Sequence, residues 1–157
     1  MKKEDWKTYV FWILLCEMVG LIAGLLIRDS VQLYSQTIVK PPLSPPAFLF
    51  PIVWTILYAL MGISAARVRL APVTKEQRTA TNLFIAQLIV NFFWPLFFFN
   101  LQAFGFALLW LILLWVLVLL LILNSFKVDR IAAWLLIPYL AWLTFAAYLN
   151  AGVWLIN

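Results

Sequence analysis

Histidine is absent from this chain, and cysteine occurs once, at Cys16, inside an apolar run. The first absence removes the commonest metal ligand and the usual acid–base group near neutral pH. The second leaves no disulfide framework and no thiolate metal site, so the expected metal content is none. Charge is scarce too: Asp, Glu, Lys and Arg make up 11% of 157 residues, while 66% are hydrophobic and the mean hydropathy is +1.02. A soluble domain this small has no interior large enough for that much apolar surface. The composition therefore implies an integral membrane protein of about one domain, residues 1–157.

What is present in abundance is the membrane-spanning run. About 20 residues at 1.5 Å each cross the hydrocarbon core, and five such stretches follow one another. They are expected near residues 8–28, 45–66, 79–99, 104–124 and 131–153, giving an all-α bundle of five transmembrane helices. The first is longer than a signal-peptide core, and no small-x-small cleavage site follows it before Arg28 and Asp29, so it reads as a retained helix. Its Gly20 and Gly24 form a GxxxG, which permits close helix approach. Thr74 with Gln77 resembles a capping box for the third helix, Asp129 reads as an N-cap for the fifth, and Pro95 is expected to kink the third. Of the eleven Lys and Arg residues, Arg28 and Lys40 fall on one side of such a bundle and the other nine on the side of the N-terminus. That bias places the N-terminus in the cytoplasm. It also accounts for the net charge of +5 by topological anchors, which argues against a nucleic-acid partner.

Five of the eight prolines lie between Lys40 and Tyr58. Each fixes φ near −65° and biases the preceding residue towards extended backbone. Lys40, Pro41, Pro42, Leu43 and Ser44 thus read as a stiff non-helical segment. Ser44 reads as an N-cap with Pro45 and Pro46 in the first turn. Trp54 and Tyr58, four apart, share a face of the helix that follows. The stretch reads either as a lid over a pocket or as a connection that ends one helix and starts the next.

Polar groups within the spans must pair or line a cavity. Gln87 and Asn91 share a face that Trp94 continues. Tyr139, Trp142, Phe145, Ala146 and Leu149 form a stripe on the last helix, where small Ala146 beside Trp142 leaves room for a planar ligand. Either these aromatics fill gaps between helices, with Asn91 bonding across a pair, or faces on three helices converge on a pocket. Glu17 is expected to be neutral, paired or directed to an interface, with a proton-coupled role as the alternative.

Three stretches carry a resemblance over nearly the whole chain: Lys40 to Pro46 with Phe50 to Tyr58, Asn91 to Pro95, and Ala133 to Asn150. Together they resemble the TspO/MBR family, the bacterial tryptophan-rich sensory proteins and mitochondrial translocator proteins. The resemblance implies a five-helix bundle, commonly a homodimer in the lipid bilayer, here of a bacterial cell membrane. It implies one cavity roofed by the first inter-helix loop that binds porphyrins such as protoporphyrin IX and other amphipathic small molecules, with no cofactor required. Carried onto this chain, the ligand-binding residues are Trp54, Tyr58, Asn91, Tyr139, Trp142, Phe145 and Ala146. The lid is Lys40, Pro41, Pro42, Leu43, Pro45 and Pro46. No residue is a firm catalytic one. Trp54 and Trp142 are the partners implied for light-dependent porphyrin breakdown, which is an alternative to a sensor or regulator of tetrapyrrole metabolism, as is transport of porphyrin or lipid-like molecules. Leu43 stands where the family usually has tryptophan, so one ring is expected to be missing from the lid. No Lys or Arg follows Tyr148, which argues against a sterol role.

Overall fold

The structure is a computed structural model and describes residues 2–157; Met1, the start of the basic N-terminal stretch, lies outside them. Among the described residues there is no strand, and five helical spans are long and apolar enough to cross a membrane. They comprise α1 (Asp5–Thr37), α2 (Leu49–Leu70), α3 (Lys75–Pro95), α4 (Phe104–Ser125), and a fifth span divided at Leu136 into α5 (Arg130–Leu135) and α6 (Ile137–Ile156).

The boundaries depart from the sequence expectation in instructive ways. The first helix does not stop near residue 28 but runs through Thr37. Residues 29–37 are polar enough to leave the hydrocarbon, yet they contain neither Pro nor Gly, so nothing stops the helix until the prolines at 41 and 42. Ser44 is not an N-cap. Its hydroxyl donates to the Pro41 carbonyl at 2.7 Å, and α2 begins five residues later at Leu49. Thr74 does cap α3, accepting from the Gln77 N–H at 3.1 Å. The reciprocal half of that box is missing, because the Gln77 side chain donates to the Val68 carbonyl instead, at 3.2 Å. α3 accordingly starts at Lys75, four residues earlier than expected. Asp129 caps α5 as expected, accepting from the Ala132 N–H at 2.9 Å.

Proline shapes both remaining irregularities. Pro95 has no N–H to offer the Asn91 carbonyl, and α3 passes there into a five-residue π-helical turn, Leu96–Asn100. Such wide turns absorb a lost hydrogen bond within an otherwise continuous helix. Pro138 sits in the first turn of α6, where its missing N–H costs nothing.

α1 packs on α2, α3 on α4, α4 on α6, and α5 on α2. Leu57, Met61, Leu111, Leu114, Leu121, Leu136 and Leu143 fill the centre, while side chains such as Leu25 and Leu109 project outward from the bundle, as lipid contact requires. Gly20 makes one of these packings possible. A Cβ there would run into the Tyr58 ring, so Gly20 is spent inside the chain, holding α1 against α2. Gly24, one turn on, faces open space. At the N-terminal end Arg67 donates from both Nε and a terminal nitrogen to the two Asp129 carboxylate oxygens, each at 3.0 Å, tying the end of α2 to the cap of α5.

Candidate ligand-binding site

The backbones of α2 and α6 stay apart, although both are held firmly to other neighbours. The gap between them is filled by aromatic rings. On α2 these are Phe50, Trp54 and Tyr58, each four residues from the next and therefore on one face; on α6 they are Tyr139, Trp142 and Phe145. Phe50 meets Trp142 at a centroid separation of 5.9 Å, and Trp54 meets Tyr58 at 5.5 Å and Tyr139 at 6.3 Å. Trp142 continues to Phe145 at 5.6 Å. These are ordinary edge-to-face and tilted contacts, and they make a slot whose walls touch through side chains alone.

Beneath Trp54 the polar groups form a directed chain. Tyr58 Oη donates to Asn91 Oδ1 at 2.7 Å, Asn91 Nδ2 donates to Tyr139 Oη at 2.6 Å, and Tyr139 Oη donates to Gln87 Oε1 at 2.8 Å. Gln87 Nε2 then lies 4.0 Å from Met61 Sδ. All five residues are buried, so each bond is made where an unmade one would cost about 1–3 kcal/mol. Asn91 thus bonds across helices and floors the slot at once.

The tryptophans divide by their N–H groups. Trp94 donates to Asn150 Oδ1 at 3.1 Å, Trp110 to the Val90 carbonyl at 2.7 Å, and Trp115 to Thr144 Oγ1 at 2.9 Å. Among the described residues the other six find no acceptor: Trp6, Trp134 and Trp154 are exposed, Trp12 packs on Phe84, and Trp54 and Trp142 are half-buried in the slot. The slot thus contains two indole N–H groups without a partner among the described residues.

The segment after α1 runs down α6. The Val39 N–H donates to Asn157 Oδ1 at 3.0 Å, and Asn157 Nδ2 donates to the Val39 carbonyl at 2.8 Å. Pro41 is buried against Gly152, where an added Cβ would lie 2.6 Å from the Pro41 Cβ. Tyr148 Oη donates to the Pro42 carbonyl at 2.7 Å. Lys40 turns away: its ammonium donates to the Ser35 carbonyl at 3.3 Å and lies 5.4 Å from the Tyr34 ring centroid. Leu43 has φ 68° and is 81% exposed. A left-handed conformation costs a non-glycine residue about 1–2 kcal/mol, and here it directs the side chain off the lid rather than under it. The ring expected to be missing from the roof is therefore not missed by the slot as it stands. Pro45 is half-buried and Pro46 exposed at the turn into α2.

All the expected wall residues thus gather along one gap, with Ala146 buried in the same core one turn beyond Trp142. Spacing alone did not single out Phe50, although it continues the Trp54–Tyr58 face by one turn. Tyr148, Gly152 and Asn157 carried no sequence signal, because their role depends on where the lid comes down. Glu17 has no hydrogen-bond or ion-pair partner among the described residues. An open groove of about 380 Å³ lies elsewhere, between α1 and α3, lined by Phe11, Leu15, Ile89 and Phe93 among others, and shares no residue with the slot.

The model of the TspO/MBR family matches residues 12–155. The chain is 37% identical over 151 residues to the tryptophan-rich protein TspO of Chlorobaculum tepidum, covering 96% of each. It is 32% identical over 151 residues to the translocator protein of Bos taurus, covering 95% of this chain and 89% of the bovine one. It is also 34% identical over 119 residues to protein CrtK of Rhodobacter capsulatus, covering 75% and 74%. The chain belongs to the TspO/MBR family.

Proposed function

We propose that this protein binds porphyrins, with protoporphyrin IX as the representative ligand, in the slot between α2 and α6, and that it acts as a sensor or regulator of tetrapyrrole metabolism. The observation that carries the reading is the slot itself. Planar aromatic walls carried on helices whose backbones are anchored elsewhere favour a flat aromatic guest, and the free N–H groups of Trp54 and Trp142 suit its carboxylates. Binding requires Phe50 and Trp142 to part, because their rings occupy the gap. The rigid partners of α2 and α6 would then hold the walls while the rings turn.

In this reading the protein sits in a bacterial cell membrane with its N-terminus in the cytoplasm, as the bias of nine basic residues against two supports. It works as a homodimer. The support for that is α1, whose outward face presents Leu14, Leu21 and Leu25 without partners in the chain.

Titration with protoporphyrin IX in detergent or nanodiscs is expected to quench tryptophan fluorescence saturably. Trp142→Ala is expected to weaken binding by about tenfold or more, the loss of one buried ring contact and one hydrogen bond. Unsaturable quenching in the wild type, or the same affinity in Trp142→Ala, would remove the slot from the function.

A further inference from the structure

The lid descends into the bundle, and its depth can be read from α6. Val39 is clasped by Asn157, Pro41 rests on Gly152, and Pro42 is held by Tyr148. From Asn157 to Tyr148 the helix drops nine residues, roughly 13 Å at 1.5 Å each. Helical side chains slant towards the N-terminus of their helix, so the Tyr148 hydroxyl lies deeper still than its own backbone. A second marker gives the level of the membrane. Asn150 Nδ2 donates at 2.8 Å to the carbonyl of Phe104, the first residue of α4. α4 is 22 residues long, about the thickness of the hydrocarbon core, and has no polar side chain before Asn124. Tyr148 is therefore further in than the start of α4, and the chain at Pro42 is already at the level of the acyl chains.

The next residue is Leu43, turned outward in its left-handed conformation and 81% exposed. Tyr148, which fixes that level, is itself exposed on the lipid-facing side of α6. Phe48 and Ile52, four apart at the start of α2, also present exposed apolar side chains. An apolar residue forced outward at this depth meets lipid. We infer that the lid is an intramembrane element whose tip, Leu43, inserts among the acyl chains of the leaflet at that end. The inference rests on the path of the lid and holds whatever the slot contains.

Leu43→Cys labelled with an NBD fluorophore, in nanodiscs, tests it. Cys16 is fully buried, and a Cys16→Ala background removes it altogether. Labels at Leu109→Cys, on the outward face of α4, and at Lys127→Cys, in the loop at the other end, supply the lipid and water references. The label at 43 is expected to show the blue-shifted emission of the Leu109 reference and quenching by doxyl-labelled lipid. It should survive dithionite over the time in which the Lys127 label is fully reduced. Emission and dithionite reduction matching the Lys127 label would overturn the inference in favour of an aqueous lid. Shielding from both dithionite and doxyl lipid would overturn it in favour of contact with a second copy. A nitroxide at residue 43, read by its relative accessibility to oxygen and to a water-soluble nickel chelate, gives the same decision should the larger fluorophore disturb the lid.

Discussion

Asn91 is the residue on which the floor of the slot depends, since its one side chain accepts from Tyr58 and donates to Tyr139. Asn91→Leu keeps the γ-branched shape and strands both hydroxyl interactions, with an expected loss of about 2 kcal/mol, readable as a lowered Tm in a fixed detergent. Gly20 and Gly24 offer a sharper test because their sequence context is so similar. Gly20→Ala is expected to destabilise the fold by displacing the Tyr58 ring, whereas Gly24→Ala is expected to leave Tm unchanged. A GxxxG acting between two copies would instead show as a change of oligomeric state in both variants. At this scale the sequence announced which residues matter wherever helical spacing put them on one face, as with Trp54, Tyr58, Asn91 and Tyr139. It did not announce how they pair. Gly20 reads as an oligomerisation signal until Tyr58 is seen lying on it, and that contact is a matter of how two helices cross.

Among the elements, the junction of α2 with α5 carries the clearest pH dependence. Partial burial raises the pKa of the Asp129 carboxyl, but the hydrogen bond from Arg67, the backbone N–H groups of Ala132 and Ile131, and the Arg67 charge outweigh it and hold the group below its ordinary value of 3.8. A folded pKa below the unfolded one means the unfolded chain binds the proton more readily. The stabilisation is thus fully present above pH about 4 and is lost as the pH falls through the lower folded value. Asp129→Asn is expected to lower Tm at pH 7, with the difference from wild type unchanged down to pH 5 and shrinking only in stronger acid. The helix boundaries teach a related lesson. Capping by Thr74 and Asp129 was legible because it is local chemistry. The length of α1 was not, since polar residues mark the edge of the hydrocarbon and say little about the end of a helix.

The lid and α6 also act as a unit. Val39, Pro41 and Pro42 are held at three successive levels, so releasing the polar contacts should affect motion more than affinity. Tyr148→Phe combined with Asn157→Ala is expected to raise the association and dissociation rates of a slot ligand together. Kd should change by less than about threefold, because a gate that touches the ligand little alters the barrier and leaves the end states alone. Stopped-flow quenching measures both rates, and a change confined to dissociation would mean that the lid grips the guest directly.

Over the whole molecule, hydropathy was enough to read five spans, because lipid penalises every unpaired polar group and tolerates few arrangements. The lid was visible as a stiff, proline-rich segment, but its course was not. That course is set by contacts between residues 118 positions apart, beyond the reach of any local pattern. The clasp between Val39 and Asn157 has a practical corollary. An affinity handle fused after Asn157 without a spacer begins at the very residue that holds Val39. Preparations purified through opposite ends of the chain should then differ in how quickly they take up and release the same molecule, and the handle at the N-terminal end is the one that leaves the gate alone.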